Sequence, residues 1–127
     1  MVDVEFEAGH LPAIYNALHI QAPAQEGREA IDVIAEVEQH LGENRVRAVG
    51  MKPTDGMQRG MKVVDLGEPI SVPVGAETLG RGRTVLGEPV HFADHPVPAK
   101  ERRSSHRCAP PLVPKSTDPV TVAARIL

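Results

Sequence analysis

The chain has 127 residues, with 14 Lys and Arg against 17 Asp and Glu and a net charge of −3. That balance disfavours a free-standing nucleic-acid binder, which needs a basic face, and Phe6, Tyr15 and Phe92 are too few aromatics for a base-stacking platform. The lone Cys108 excludes an internal disulfide and a cysteine-cluster metal site, and no apolar run approaches the ~20 residues that span a bilayer.

At the N-terminus Val2, Val4 and Phe6 alternate with Asp3 and Glu5. This is the period of a half-buried strand and not the apolar stretch of a signal peptide, so the default is a soluble protein in a reducing compartment. A second strand is expected over 14–20, entered after Pro12. A polar turn follows over 23–29. Residues 30–41 contain helix formers, but Ile31, Val33, Ala35 and Val37 alternate with Asp32, Glu36 and Glu38, and alternation outranks a weak propensity. Gly42-Glu43-Asn44 reads as a tight hairpin turn, with 45–51 returning.

Lys52-Pro53-Thr54-Asp55-Gly56 holds another turn, because Asp-Gly tolerates positive φ. Residues 61–66 and 70–74 are expected as two more strands across Gly67-Glu68-Pro69, with Pro73 tolerable at a strand end or sheet edge. The fold class expected is mainly β, a small six-stranded antiparallel barrel. After Gly75 the period changes, and 76–86 suits a short helix ended by Gly87, although Gly80 and Gly82 cost it about 1 kcal/mol each. Seven of the 12 prolines lie between Pro89 and Pro119, so a Pro-rich extended tail is expected beyond Gly87.

Longer words in the sequence carry a resemblance. They begin with Leu11-Pro12-Ala13-Ile14-Tyr15-Asn16-Ala17-Leu18, Gln39-His40-Leu41-Gly42-Glu43-Asn44 and Val46-Arg47. Thr54-Asp55-Gly56, Arg59-Gly60-Met61, Val63-Val64-Asp65 and Gly67 follow. Pro69-Ile70-Ser71-Val72-Pro73-Val74-Gly75, Glu77-Thr78-Leu79-Gly80-Arg81 and Val85-Leu86-Gly87-Glu88-Pro89-Val90 continue the run. His106-Arg107, Ala109-Pro110-Pro111 and Ser116-Thr117-Asp118-Pro119 close it. In this order they resemble the N-terminal region of F-type ATP synthase beta subunits over about 2–119, and the 14–18 and 69–75 wording fits beta better than the sibling alpha subunit or the vacuolar-type subunits.

The resemblance implies a barrel domain over 1–75 and, over 76–127, the start of a nucleotide-binding domain, truncated and divergent after 119. In the family such barrels join in a ring with those of alpha subunits and hold together the head that makes ATP from ADP and phosphate, driven by a proton gradient. The implied place is the cytoplasmic face of a bacterial inner membrane, in a peripheral complex without direct membrane insertion; the segment alone would be soluble. The family has further residues ahead of Val2, so the first strand is expected to be incomplete. Gly82 replaces an apolar helix residue, His91 stands where an acidic residue is usual, and Ser104-Ser105 replaces Pro-Ile. From Val120 to Leu127 the wording leaves the family, as a truncation or a frame shift near codon 119 would produce.

Catalysis on ATP needs a glycine-rich phosphate cradle with its Lys and Ser/Thr. The one Lys followed by Ser or Thr is Lys115-Ser116, and Ala109 and Pro114 stand where that motif needs glycine; proline has no N–H to donate. No catalytic, cofactor-binding or metal-binding residue is therefore assigned. ATP, ADP and magnesium belong to the intact family, whose P-loop, metal-holding Asp and catalytic Glu lie beyond the matching stretch.

Smaller constellations read as surface. Glu36, Glu38 and His40 share one strand face and have ligand chemistry for a divalent ion, but a solvated face is the simpler reading. His91, Asp94 and His95 fit a polar loop, and His106-Arg107 an exposed pair. Arg59 suits an ion pair across a subunit interface, worth 0–1 kcal/mol if exposed. Cys108 has no adjacent base to make it a nucleophile, and Met51, Met57 and Met61 read as core or turn filler. The leading expectation is an assembly module without its own catalysis. The alternatives are an independent small-barrel binding protein, a non-functional gene fragment, or part of a longer active enzyme.

Overall fold

A computed structural model describes residues 1–24, 29–80, 82–90, 100–112 and 117. Among the described residues are seven strands: β1 (Val2–Glu5), β2 (Asn16–Ala22), β3 (Ile31–Gly42), β4 (Arg45–Gly50), β5 (Val63–Pro69), β6 (Ser71–Val74) and β7 (Glu101–Ser104). The only helical turn among the described residues is a 3-10 turn at Ala76–Thr78. None of their helices is long and apolar enough to cross a membrane.

Five strands form one antiparallel sheet in the order β1-β4-β3-β2-β5. The mainly β, antiparallel architecture is as expected, but the sheet is open. The strand expected sixth, β6, leaves it and pairs antiparallel with β7 in a separate two-stranded sheet. Ser105 N–H donates to Ile70 O at 2.9 Å, continuing that pairing by one residue.

The core lies on one face of the larger sheet. Val4, Leu18, Ile20, Ala35, Val37, Val46 and Ala48 are buried together, with Val2, Phe6, Ile31, Met57 and Val63 packed against them. Alternation along the strands delivers these residues to one side, since successive side chains point to opposite faces. Of Met51, Met57 and Met61, Met57 packs against this core. Met61 lies in a turn, its N–H on Gln58 O.

The β3–β4 hairpin forms where expected. Its two loop residues, Glu43 and Asn44, both have positive φ, 50° and 58°, the handedness that matches the strand twist. The second strand begins later than expected. Ile14 and Tyr15 form a turn closed by Asn16 N–H on Ala13 O at 3.1 Å, with Tyr15 at φ 74°; Tyr15 N–H reaches instead to Val37 O at 2.8 Å.

The helix expected over 76–86 is absent beyond its first turn. Gly80 takes φ 71°, and Thr84–Gly87 closes a turn through Gly87 N–H on Thr84 O at 2.9 Å. Arg83 bridges to Pro89 and its Nη1 donates to Pro73 O at 2.9 Å. Glycine flexibility and these turn bonds outcompete helix propagation, which is weak in so short a segment. Beyond Gly87 the expected extended tail contains an ordered strand, β7.

Candidate functional site

The strand face carrying Glu36, Glu38 and His40 does not hold the three together. The β3–β4 register shifts between Val37 and Gln39, so Glu38 is the extra residue of a bulge and the alternation breaks there. His40 Nε2 lies 2.8 Å from Pro12 O, and Glu38 is exposed. Among the described residues no three metal-ligating side chains cluster.

Glu36 departs most from the expected solvated face. Its side chain is 8% exposed, and among the described residues it is the only buried charged group. It sits on the face of β3 opposite Ala35 and Val37, and the chain that follows β7 covers it. Glu36 Oε1 lies 3.0 Å from His106 Nε2, and the imidazole stacks on Tyr15 with ring centroids 4.0 Å apart and an interplanar angle of 20°. His106 is thus no bare surface residue. A buried carboxylate needs a hydrogen-bonding or charged partner, and a stacked ring holds that partner in place. Three separate stretches meet here: the turn before β2, the middle of β3 and the segment after β7.

The remaining ion pairs lie on the surface. Arg47 binds Asp3 through Nε and Nη2 at 2.8 and 2.9 Å, a two-pronged contact between β4 and β1 that lowers the Asp3 carboxyl below its ordinary value. His19 Nε2 lies 2.7 Å from Asp32 Oδ1, and this hydrogen bond lowers Asp32. Arg103 Nε donates to Glu101 at 2.5 Å and lowers it likewise. Asn16 Nδ2 donates to Asp65 Oδ1 at 3.1 Å, and the same oxygen accepts Gly67 N–H at 2.9 Å.

Arg59 is exposed in the connection between β4 and β5. Cys108 is free and exposed. His91, Asp94, His95, Lys115 and Ser116 lie outside the described residues.

Two of the open grooves that border the sheet adjoin its outer strands. One, of about 450 Å³, runs between the two sheets and is lined by Ile34, Leu66, Ile70, Pro73, Leu86 and Arg102. Arg102 is anchored there by Nη2 on Ser71 O at 2.6 Å. The other, of about 620 Å³, separates β1 from the start of β5. Among the described residues no three metal-ligating side chains cluster, and the only helical turn is the three-residue one at Ala76–Thr78. The arrangement suits recognition by surfaces and strand edges. The family model describing the β-barrel domain of the ATP synthase alpha/beta family matches residues 1–67, the stretch that holds β1 to β4 and most of β5.

Proposed function

The chain belongs to the ATP synthase alpha/beta family, and on that premise we propose that it is the barrel-bearing N-terminal part of an F-type beta subunit, acting in assembly and not in catalysis. The observation that carries the reading is the coincidence of the family match over 1–67 with one antiparallel sheet over the same residues. The beta wording at 14–18 and 69–75 supports this subunit over its alpha sibling.

The proposed partners are alpha subunits, met side by side through the barrels, in a hetero-oligomeric head at the cytoplasmic face of a bacterial inner membrane. The exposed apolar side chains of Val64 and Leu66 on β5 favour a surface that is covered in an assembly. Proton-driven synthesis of ATP, with magnesium and nucleotide bound, is the proposed work of the whole subunit.

The test mixes the purified chain with isolated alpha subunit and follows mass by size-exclusion chromatography with light scattering, alongside an ATP hydrolysis assay. The expected result is a complex with alpha and no turnover by the chain. Turnover by the chain alone, or failure to associate with alpha while remaining folded, would overturn the reading.

A further inference from the structure

We propose that the link between Asp55 and Gly56 is a site of spontaneous backbone modification, where aspartate converts to isoaspartate through a cyclic imide. The chemistry needs the backbone nitrogen of the following residue to reach the aspartate Cγ. The nitrogen attacks Cγ and a C–N bond forms. The amide proton and the hydroxyl of the protonated carboxyl leave together as water. Water then adds to either carbonyl of the five-membered ring and opens it. The cycle neither gains nor loses an atom, and no oxidant, reductant or cofactor enters. Opening at the former main-chain carbonyl leaves a backbone that runs through Cβ, one methylene longer.

Asp55 is the one Asp or Asn in the sequence that is followed by glycine, so no side chain stands beside the attacking nitrogen. Both residues are exposed and line an open cavity of about 710 Å³, which admits the water that opens the ring. They form the centre of a turn closed by Met57 N–H on Thr54 O at 3.2 Å, with Gly56 at φ 82°. Among the described residues no hydrogen bond engages the Asp55 carboxylate or the peptide unit between Asp55 and Gly56. That unit can rotate, as it does between turn types whose central peptides point opposite ways, without breaking one. A Cβ built on Gly56 would meet only Ile31 Cδ1, at 3.8 Å, so the glycine has room to move.

The competing positions are held back by their own bonds. Arg47 grips Asp3, His19 grips Asp32, and Asp65 accepts from Asn16 Nδ2 and Gly67 N–H. All three lie in paired strands, where the ladder fixes the backbone around them. Asn16 is buried. Asn44 is exposed in the β3–β4 turn, but Arg45 follows it, and that side chain shields the nitrogen.

The modified turn is anchored at both ends. Met57 packs against the core, and Thr54 Cγ2 lies so near Gly50 that a Cβ there would stand 2.9 Å from it. An added methylene has to be taken up between these anchors, so aged copies of the chain carry an altered link between β4 and β5.

The test incubates the full 127-residue chain at neutral pH in water enriched in heavy oxygen, beside the capped peptide KPTDGMQ, which spans residues 52–58. Each passage through the imide places one heavy oxygen in the residue, and peptide mapping with electron-transfer fragmentation tells isoaspartate from aspartate. Label and isoaspartate are expected at Asp55 of the folded chain at a rate within tenfold of the free peptide. Asp3, Asp32 and Asp65 are expected to label at least tenfold more slowly than Asp55. Asp55→Glu, which would need a larger ring, is expected to take no label there while keeping the circular dichroism of the parent. A folded chain more than tenfold slower than the peptide, equal labelling at the strand aspartates, or label that persists in Asp55→Glu would overturn the proposal.

Discussion

Glu36 Oε1 lies 3.0 Å from His106 Nε2, and this contact joins the middle of the large sheet to the chain that leaves the small one. The carboxylate is buried and the imidazole is 41% exposed, so the pair is wet on one side only. Removal of the imidazole leaves a buried acceptor without its partner. His106→Ala is expected to lower unfolding stability by about 1–3 kcal/mol, measured by urea denaturation, and Glu36→Gln to cost less, because its amide keeps hydrogen-bonding capacity. A His106→Ala variant as stable as the parent would show that water replaces the imidazole at no cost.

Tyr15 combines a strained backbone with a useful ring. A non-glycine residue at φ 74° costs about 1 kcal/mol or more, while the stack on His106 returns about 0.5–1.5 kcal/mol. Tyr15→Gly is therefore expected to be nearly neutral in the parent chain and stabilising by about 1 kcal/mol in the His106→Ala background. A double-mutant cycle by urea denaturation reads the difference. Equal effects in both backgrounds would mean that the two rings are energetically uncoupled.

Acid weakens the surface pairs in a predictable direction. Arg47 holds Asp3 below its ordinary 3.8, and the hydrogen bonds from His19 and Arg103 lower Asp32 and Glu101. A depressed folded-state value gives stability that is present above the unfolded value and lost as pH falls through the folded one. The urea midpoint is expected to decline as pH drops below about 4. Asp3→Asn should make that decline shallower, and 1 M salt should also flatten it, because the pair is exposed. An unchanged acid limb in Asp3→Asn would place the acid sensitivity elsewhere.

Gly87 has φ 84°, and a Cβ built there would run into the Pro73 ring. Gly87→Ala is expected to cost about 1–3 kcal/mol in local stability. The turn would loosen from β6, seen as faster exchange of the Val90 amide, which donates to Gly82 O at 3.0 Å. Exchange in Leu18 and Val46, at the centre of the other sheet, should not change. Faster exchange at all these amides would show that the two sheets unfold as one unit.

Local pattern made the large sheet legible and left its surroundings obscure. The β3–β4 hairpin could be read because alternating Val33, Ala35 and Val37 meet Val46 and Ala48 across two loop residues that tolerate positive φ. Strand β7 carried no such signal. Glu101, Arg102, Arg103 and Ser104 are all polar, since this strand lies on the surface and buries no face of its own. Its existence depends on pairing with Ser71–Val74, a long-range fact. The burial of Glu36 was hidden for the same reason: its own strand places it outward, and the cover arrives from far along the chain. Both halves of the site were visible as chemistry, Glu36 as ligand-type carboxylate and His106 as a polar surface group, but their meeting was not.

The cover over Glu36 also sets an order of events during synthesis. The β3–β4 hairpin closes locally, on a scale of about 1–10 μs, and every strand of the large sheet has been made once Pro69 is added. At about 5–20 residues per second, His106 is added to the growing chain roughly 2–7 s later. A sheet formed before His106 docks lacks the imidazole partner of Glu36. That partner lies in the segment after β7, so the strands of the large sheet can pair before the contact that covers Glu36 is closed.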